Sequence, residues 1–152
     1  MAKFVVANAS DIPDGGRLIV EVAGRSIGVF NVGGTFYALR NRCPHNGGPL
    51  CEGGPIYSLF EAPRPGVYRV DTSRKFVTCP WHGWEYDIAT GQSWWDPARS
   101  RVRSYPVTVA SGADLAATDD ASEPGERVKG PYVAETYPVD LADALLMVDI
   151  PD

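Results

Sequence analysis

Two short stretches constrain this chain more than anything else in it: "CPHNGG" (Cys43 to Gly48) and "CPWHGWEYD" (Cys79 to Asp87). They hold both histidines of the chain, each near a cysteine that is followed directly by proline. As a spacing this is Cys43-x-His45, then 33 residues, then Cys79-x-x-His82. Each loop offers one thiolate and one imidazole, so a fold that joins the loops assembles two sulfurs and two nitrogens. Three cysteines are too few for a disulfide framework and suit metal binding better.

Two chemistries use such a donor set. One is a structural tetrahedral zinc that takes all four ligands. The other is a [2Fe–2S] cluster in which two cysteines bind one iron and two histidines the other. Spacing alone leaves both open. The surroundings favour the cluster: a zinc site of this composition commonly puts both cysteines in one knuckle and both histidines on a helix. Here each loop is mixed and neither reads as helical. Gly47, Gly48 and Gly83 allow backbone N–H groups to approach bridging sulfides, and Pro44 and Pro80 stiffen the turns.

The rest of the chain reads as short β-strands between breaks made by 16 glycines and 13 prolines. "RLIVEVAG" and "RSIGVFNVGG" alternate in period two, "NVGGTF" and "DIATGQ" carry hairpin turns, and "ALLMVDI" reads as a closing strand. No amphipathic helix is evident before residue 110. Tyr105 and Tyr137 sit in matching Tyr-Pro-Val triplets that read as two edge strands. The expectation is one all-β domain over 1–152, mostly antiparallel, with insertions at 54–74 and 110–130. The first insertion reads as a hairpin about "APRPG", the second as a mobile acidic segment. Residues 1–109 carry twelve Lys/Arg and nine Asp/Glu, a net of +3; residues 110–152 carry two and ten, a net of −8. No basic run interleaves with aromatics, so nucleic acid is excluded as a partner. No apolar run is long enough to span a bilayer and the N-terminus has no secretory pattern, which predicts a cytoplasmic protein without a membrane partner.

"CPHNGGPL" with "CPWHGWEYD" resembles the Rieske [2Fe–2S] signature, and the surrounding strands resemble the Rieske ferredoxin domain over most of residues 3–109 and the last strand. The resemblance implies an antiparallel β-sandwich or barrel with a small cluster-binding subdomain. It implies a cluster held by Cys43, His45, Cys79 and His82, and a proline loop over it, for which Pro97 in "WWDPARS" is the candidate. Trp81, Trp84 and Pro49 are expected to pack around the cluster, with His45 and His82 at the surface. The 33-residue spacer is longer than the family's, and the acidic insertion is a second departure. Respiratory members carry a membrane anchor and an extra cysteine in each ligand loop; Gly48 and Trp81 stand in those places, and Cys51 reads as a small half-buried side chain.

A terminal oxygenase also needs a mononuclear iron held by two histidines and a carboxylate. Both histidines are already committed, so the chain reads as an electron carrier with no catalytic residues of its own. The expected partners are a flavin-dependent ferredoxin reductase and a terminal oxygenase. The alternative is an accessory or regulatory Rieske module whose cluster is structural or redox-sensing, and zinc remains a third reading. High-potential relatives place a serine hydroxyl where this chain has Trp84, so a potential low in the Rieske range of about −150 to +300 mV is expected. Tyr86, four residues after His82, is expected to donate its phenol to a cysteine sulfur and to pull the potential the other way, without outweighing that loss.

Overall fold

The computed structural model describes residues 2–93, 96, 98–119 and 144–151. The strands are β1 (Ala2–Asn8), β2 (Arg17–Val22), β3 (Arg25–Val32), β4 (Thr35–Arg40), β5 (Tyr57–Arg64), β6 (Val67–Thr78), β7 (Glu85–Asp87), β8 (Ser104–Tyr105) and β9 (Val107–Ser111). A short helix α1 (Gly112–Asp119) and the last strand β10 (Ala144–Ile150) follow. All pairings are antiparallel, in three sheets ordered β1-β10-β9, β2-β3-β4-β8 and β5-β6-β7. The all-β expectation holds.

The middle sheet is buried on both faces, and that organises the molecule. Along β3, Ile27 and Val29 point into one core with Val22, Ala38, Tyr105, Leu146 and Val148. Phe30 points the other way, into a second core with Leu39, Leu50, Cys51, Val77, Tyr86 and both loop cysteines. Successive side chains of a strand face opposite sides, so one sheet serves two cores. The first core fixes the β1-β10-β9 sheet; the second carries the two Cys/His loops.

Tight turns set the register. Gly33 and Gly34 sit at φ +61° and +86° between paired Val32 and Thr35, the two-residue turn that "NVGG" predicts. The turn after Asp87 is also as read: Gly91 N–H donates to the Asp87 carbonyl at 2.7 Å. β5 and β6 form the hairpin expected about "APRPG", turning at Gly66 (φ +76°). β6 is the longest strand among the described residues. "GVYRVDT" and "KFVTC" read as separate runs but belong to one strand of 12 residues. The pairing jumps from Ser58↔Lys75 to Leu59↔Asp71, so the break in the pattern is a bulge within the strand.

Two further differences concern the C-terminal part. Residues 112–119 are helical, although the segment reads as a mobile insertion. The missed signal is local: the Asp114 N–H donates to Ser111 Oγ at 3.1 Å, an N-cap one strand residue before the helix. Residues 120–130, Pro97 and the Tyr137 triplet lie outside the described residues. Among the described residues no helix is long and apolar enough to cross a membrane.

The joint between the middle sheet and the first Cys/His loop has no spare volume. Gly28 lies against Cys51, and a Cβ there would meet Cys51 Sγ at 2.6 Å. Cys51 is fully buried and its Sγ lies 3.7 Å from the Leu39 carbonyl. Burial pushes its thiol up to about 12, which makes it an inert core side chain. Gly28→Ala is expected to destabilise the fold by about 1–3 kcal/mol through overpacking. Adding Cys51→Gly to Gly28→Ala should restore most of the loss. Thermal unfolding of the three proteins checks this, and two additive losses would contradict it.

Candidate metal centre

Cys43 follows β4 through Asn41 and Arg42, and Cys79 follows β6 directly. From those anchors the two loops take one backbone shape. Cys43 N–H donates to the Gly48 carbonyl, and Gly47 N–H returns to the Cys43 carbonyl, both at 2.8 Å. Cys79 N–H donates to the Trp84 carbonyl at 2.8 Å, and Gly83 N–H returns to the Cys79 carbonyl at 2.9 Å. The fifth residue of each loop has positive φ, +79° at Gly47 and +73° at Gly83. That explains a glycine at both positions. The histidine is third in one loop and fourth in the other.

Each loop is held from outside. The second is the connection of the β6–β7 hairpin, closed by Thr78↔Glu85 and Val77↔Tyr86. The first leads into a 3₁₀ turn, Leu50–Glu52. Asn41 accepts the Cys51 N–H at 2.8 Å and donates to Ser26 Oγ and Glu52 Oε1. Arg17, reaching across from β2, donates to the carbonyls of Cys51 and Gly53 at 2.9 and 3.0 Å and also to Gly54. Sequence reading did not single out Arg17; an arginine inside an apolar strand pattern was its only mark.

The loops also hold each other. Gly48 sits under the Trp81 ring and beside Cys79, where a Cβ would lie 3.0 Å from the sulfur. Trp84 stacks on His45, with centroids 4.2 Å apart and planes 12° apart. Tyr86 and Cys43 share a hydrogen bond of 3.4 Å between Oη and Sγ. Trp84 thus packs directly on a candidate ligand, and Trp81 does less shielding than expected, being 57% exposed.

The four candidate ligands fall into two pairs of opposite character. Cys43 and Cys79 are buried at 2% exposure, whereas His45 and His82 are exposed, their rings edge to face with centroids 4.8 Å apart. Burial raises the Cys79 thiol; the N–H groups of Trp81 and His82 pull it down and the neighbouring Cys43 pushes it up. Burial also raises the Tyr86 phenol, and Cys43 adds to that. A sulfur that ligates iron is a thiolate and only accepts, so beside such a sulfur the phenol is the donor of the shared hydrogen bond. Two adjacent buried sulfurs cannot both ionise without a cation beside them. Among the described residues no three His, Cys, Asp or Glu side chains converge on one point. Two buried thiols beside two exposed imidazoles match the donor set of a [2Fe–2S] cluster better than that of one tetrahedral ion.

Comparison with known proteins agrees. Residues 2–106 match the model of the Rieske [2Fe–2S] domain. The chain belongs to the Rieske [2Fe–2S] family. It is 30% identical over 112 residues to the 3-phenylpropionate/cinnamic acid dioxygenase ferredoxin subunit of Escherichia coli K12, covering 74% of this chain and 90% of that one. Among solved structures, a Sphingomonas yanoikuyae B1 ferredoxin is 27% identical with a TM-score of 0.51, over 70% of this chain and 89% of that one. A chain from a complex of reduced oxygenase and oxidized ferredoxin in carbazole 1,9a-dioxygenase is 26% identical with a TM-score of 0.52, over 70% of this chain and 93% of that one. The cofactor of this Rieske domain is a [2Fe–2S] cluster, and the chain is a ferredoxin-type electron carrier.

The Tyr86 hydrogen bond sets a measurable quantity. A donor to a ligand sulfur stabilises the added negative charge of the reduced state and raises the potential. Tyr86→Phe is expected to lower it by a few tens of mV, as follows from a bond worth about 1 kcal/mol. Film voltammetry at neutral pH checks this; an unchanged potential would show that the phenol makes no difference.

Proposed function

We propose that Cys43 and Cys79 hold one iron of the cluster and His45 and His82 the other. In this reading the chain takes single electrons from a flavin-dependent ferredoxin reductase and delivers them to a terminal oxygenase in the cytoplasm. It does so as one Rieske unit over 1–152, with 54–74 and 110–130 as insertions. The observation that carries the reading is the polarity of the site, with sulfurs sealed in the core and imidazoles on the surface. The cluster, when bound, supplies reversible one-electron chemistry. The residues do the rest. Phe30, Leu50 and Val77 help keep the cysteines dry. Trp84 fixes the His45 ring, and the exposed edges of His45 and His82 bring a partner within transfer distance. The dioxygenase systems to which the relatives belong support the choice of partner. With both histidines engaged, no mononuclear oxygenase site can be built from this chain's histidines.

A second reading, a Rieske module fixed in a larger complex, is favoured by the β5–β6 hairpin. Phe60, Tyr68 and Val70 are all more than half exposed there, and the Phe60 and Tyr68 rings stack at 5.4 Å. Turnover separates the two. A carrier passes electrons to a separately purified oxygenase; a fixed module does so only inside its complex.

Protein purified after iron-supplemented anaerobic expression is expected to contain two irons and two sulfides per chain and to show a Rieske electron-paramagnetic-resonance signal when reduced. His45→Ala and Cys79→Ala should lose that signal and much of the thermal stability, because binding and folding are coupled at such sites. One zinc per chain in place of iron and sulfide would overturn the ligand assignment. Oxygenase turnover that does not depend on adding the chain, across a panel of reductase and oxygenase components, would overturn the carrier role.

A further inference from the structure

An open cleft of about 520 Å³ runs beside the first Cys/His loop, lined by Arg40, Arg42, Arg101 and Arg103 together with His45 and Gly47. All four arginines are exposed. They come from two segments that the fold ties together: the Arg40 N–H donates to the Arg103 carbonyl at 2.8 Å. Arg101 is held by its own donation to the Thr90 carbonyl, Nε at 3.3 Å and Nη2 at 3.2 Å. Arg42 lies over Gly47, where a Cβ would stand 3.2 Å from its Cζ. Among the described residues no carboxylate is paired with any of the four.

We propose that this cleft is the docking surface for carboxylates of the terminal oxygenase, and that it sets which side of the exposed histidine pair the oxygenase meets. The inference rests on the carrier reading and deepens it. Four unpaired guanidiniums are a costly concentration of like charge unless an acidic surface meets them, and guanidinium matches carboxylate as a two-pronged donor. The chain as a whole carries −5, so its overall field repels an acidic partner. This cleft reverses that sign at the point where His45 reaches the surface. A small anion would be better served by a buried cradle; an open cleft with exposed side chains from two segments suits a broad protein surface. Complementary charge of this kind steers encounter and fixes register, and it weakens with salt.

The experiment uses the cluster-loaded protein in two arms. In the first, the reduced protein is oxidised in a stopped-flow instrument by ferricyanide and, separately, by hexaamminecobalt(III), which need no biological partner. Arg42→Glu with Arg103→Glu is expected to slow ferricyanide and speed the cobalt complex, each by about tenfold at low ionic strength. Lys3→Glu with Arg69→Glu makes the same change in net charge elsewhere and should alter neither rate by more than about twofold. In the second arm, the oxygenase that accepts electrons from the wild type is titrated with each protein. The cleft pair should raise KM for the carrier at least about tenfold at low salt with kcat unchanged, the gap should close as salt rises, and Arg42→Lys with Arg103→Lys should recover most of it. Equal effects from the two charge-reversed pairs would overturn the proposal, because net charge would then be sufficient. A changed ferricyanide rate with an unchanged oxygenase KM would also overturn it, leaving a small-anion site only. So would a shift confined to the reductase. If no oxygenase accepts electrons even from the wild type, the carrier reading fails, and the docking proposal falls with it; the first arm still reports the field at the cleft.

Discussion

Two cysteine sulfurs must sit side by side in a core, and the structure is arranged around that requirement. Thiols can be buried cheaply, but adjacent thiolates cannot, unless a cation shares the space. The chain meets this with duplication. The same six-residue turn is built twice, once after β4 and once after β6, each turning on a positive-φ glycine four residues beyond its cysteine. Each turn then supports the other: Gly48 lies under Trp81, Trp84 stacks on His45 and Tyr86 reaches Cys43. A metal held between two such turns gains from both, and either turn alone lacks the contacts that orient its donors.

The two-sided middle sheet is what makes this affordable in a chain of 152 residues. By burying β3 on both faces it anchors the half that carries the two Cys/His loops to an independent apolar core. The packing of Leu50 and Cys51 on Gly28 and Leu39 is where the halves are joined. Arg17 completes that joint, bridging from the sheet to the carbonyls of Cys51, Gly53 and Gly54 after the first loop. Its guanidinium satisfies carbonyls that a tight turn would otherwise leave bare.

Much of this was legible in the sequence, for identifiable reasons. The two Cys/His loops declare themselves because metal chemistry restricts residue type at fixed spacing. The Gly33-Gly34 turn declares itself because only that backbone closes so short a hairpin. What escaped was information the chain holds in pairs of distant residues. Alternation in β2 and β3 looks the same whether the second face meets water or another core. The bulge at Thr72–Arg74 looks like a strand break, since Asp71 and Ser73 form a local turn-like hydrogen bond there. Helix α1 is short and its capping serine also ends β9, so strand and cap signals overlap on Ser111. The stacking role of Trp84 was invisible because a tryptophan beside a ligand is equally at home in a core.

The division between buried sulfurs and exposed imidazoles also fixes a direction. A carrier must let an electron leave while keeping solvent from its sulfurs, and low-dielectric burial on one side with ring edges on the other achieves both at once. The direction is then refined by what surrounds the exit. Trp84 covers one face of the His45 ring, and Trp81 lies over the far loop. The arginine cleft borders the first loop on the side where Arg40 and Arg103 are joined by their backbones. The first loop is thus bordered by both aromatic and cationic groups, so a partner that approaches His45 meets a chemically uneven surface. Uneven charge and stacking surface can guide an encounter without a tight complex, which suits a protein that must release one partner before meeting the next.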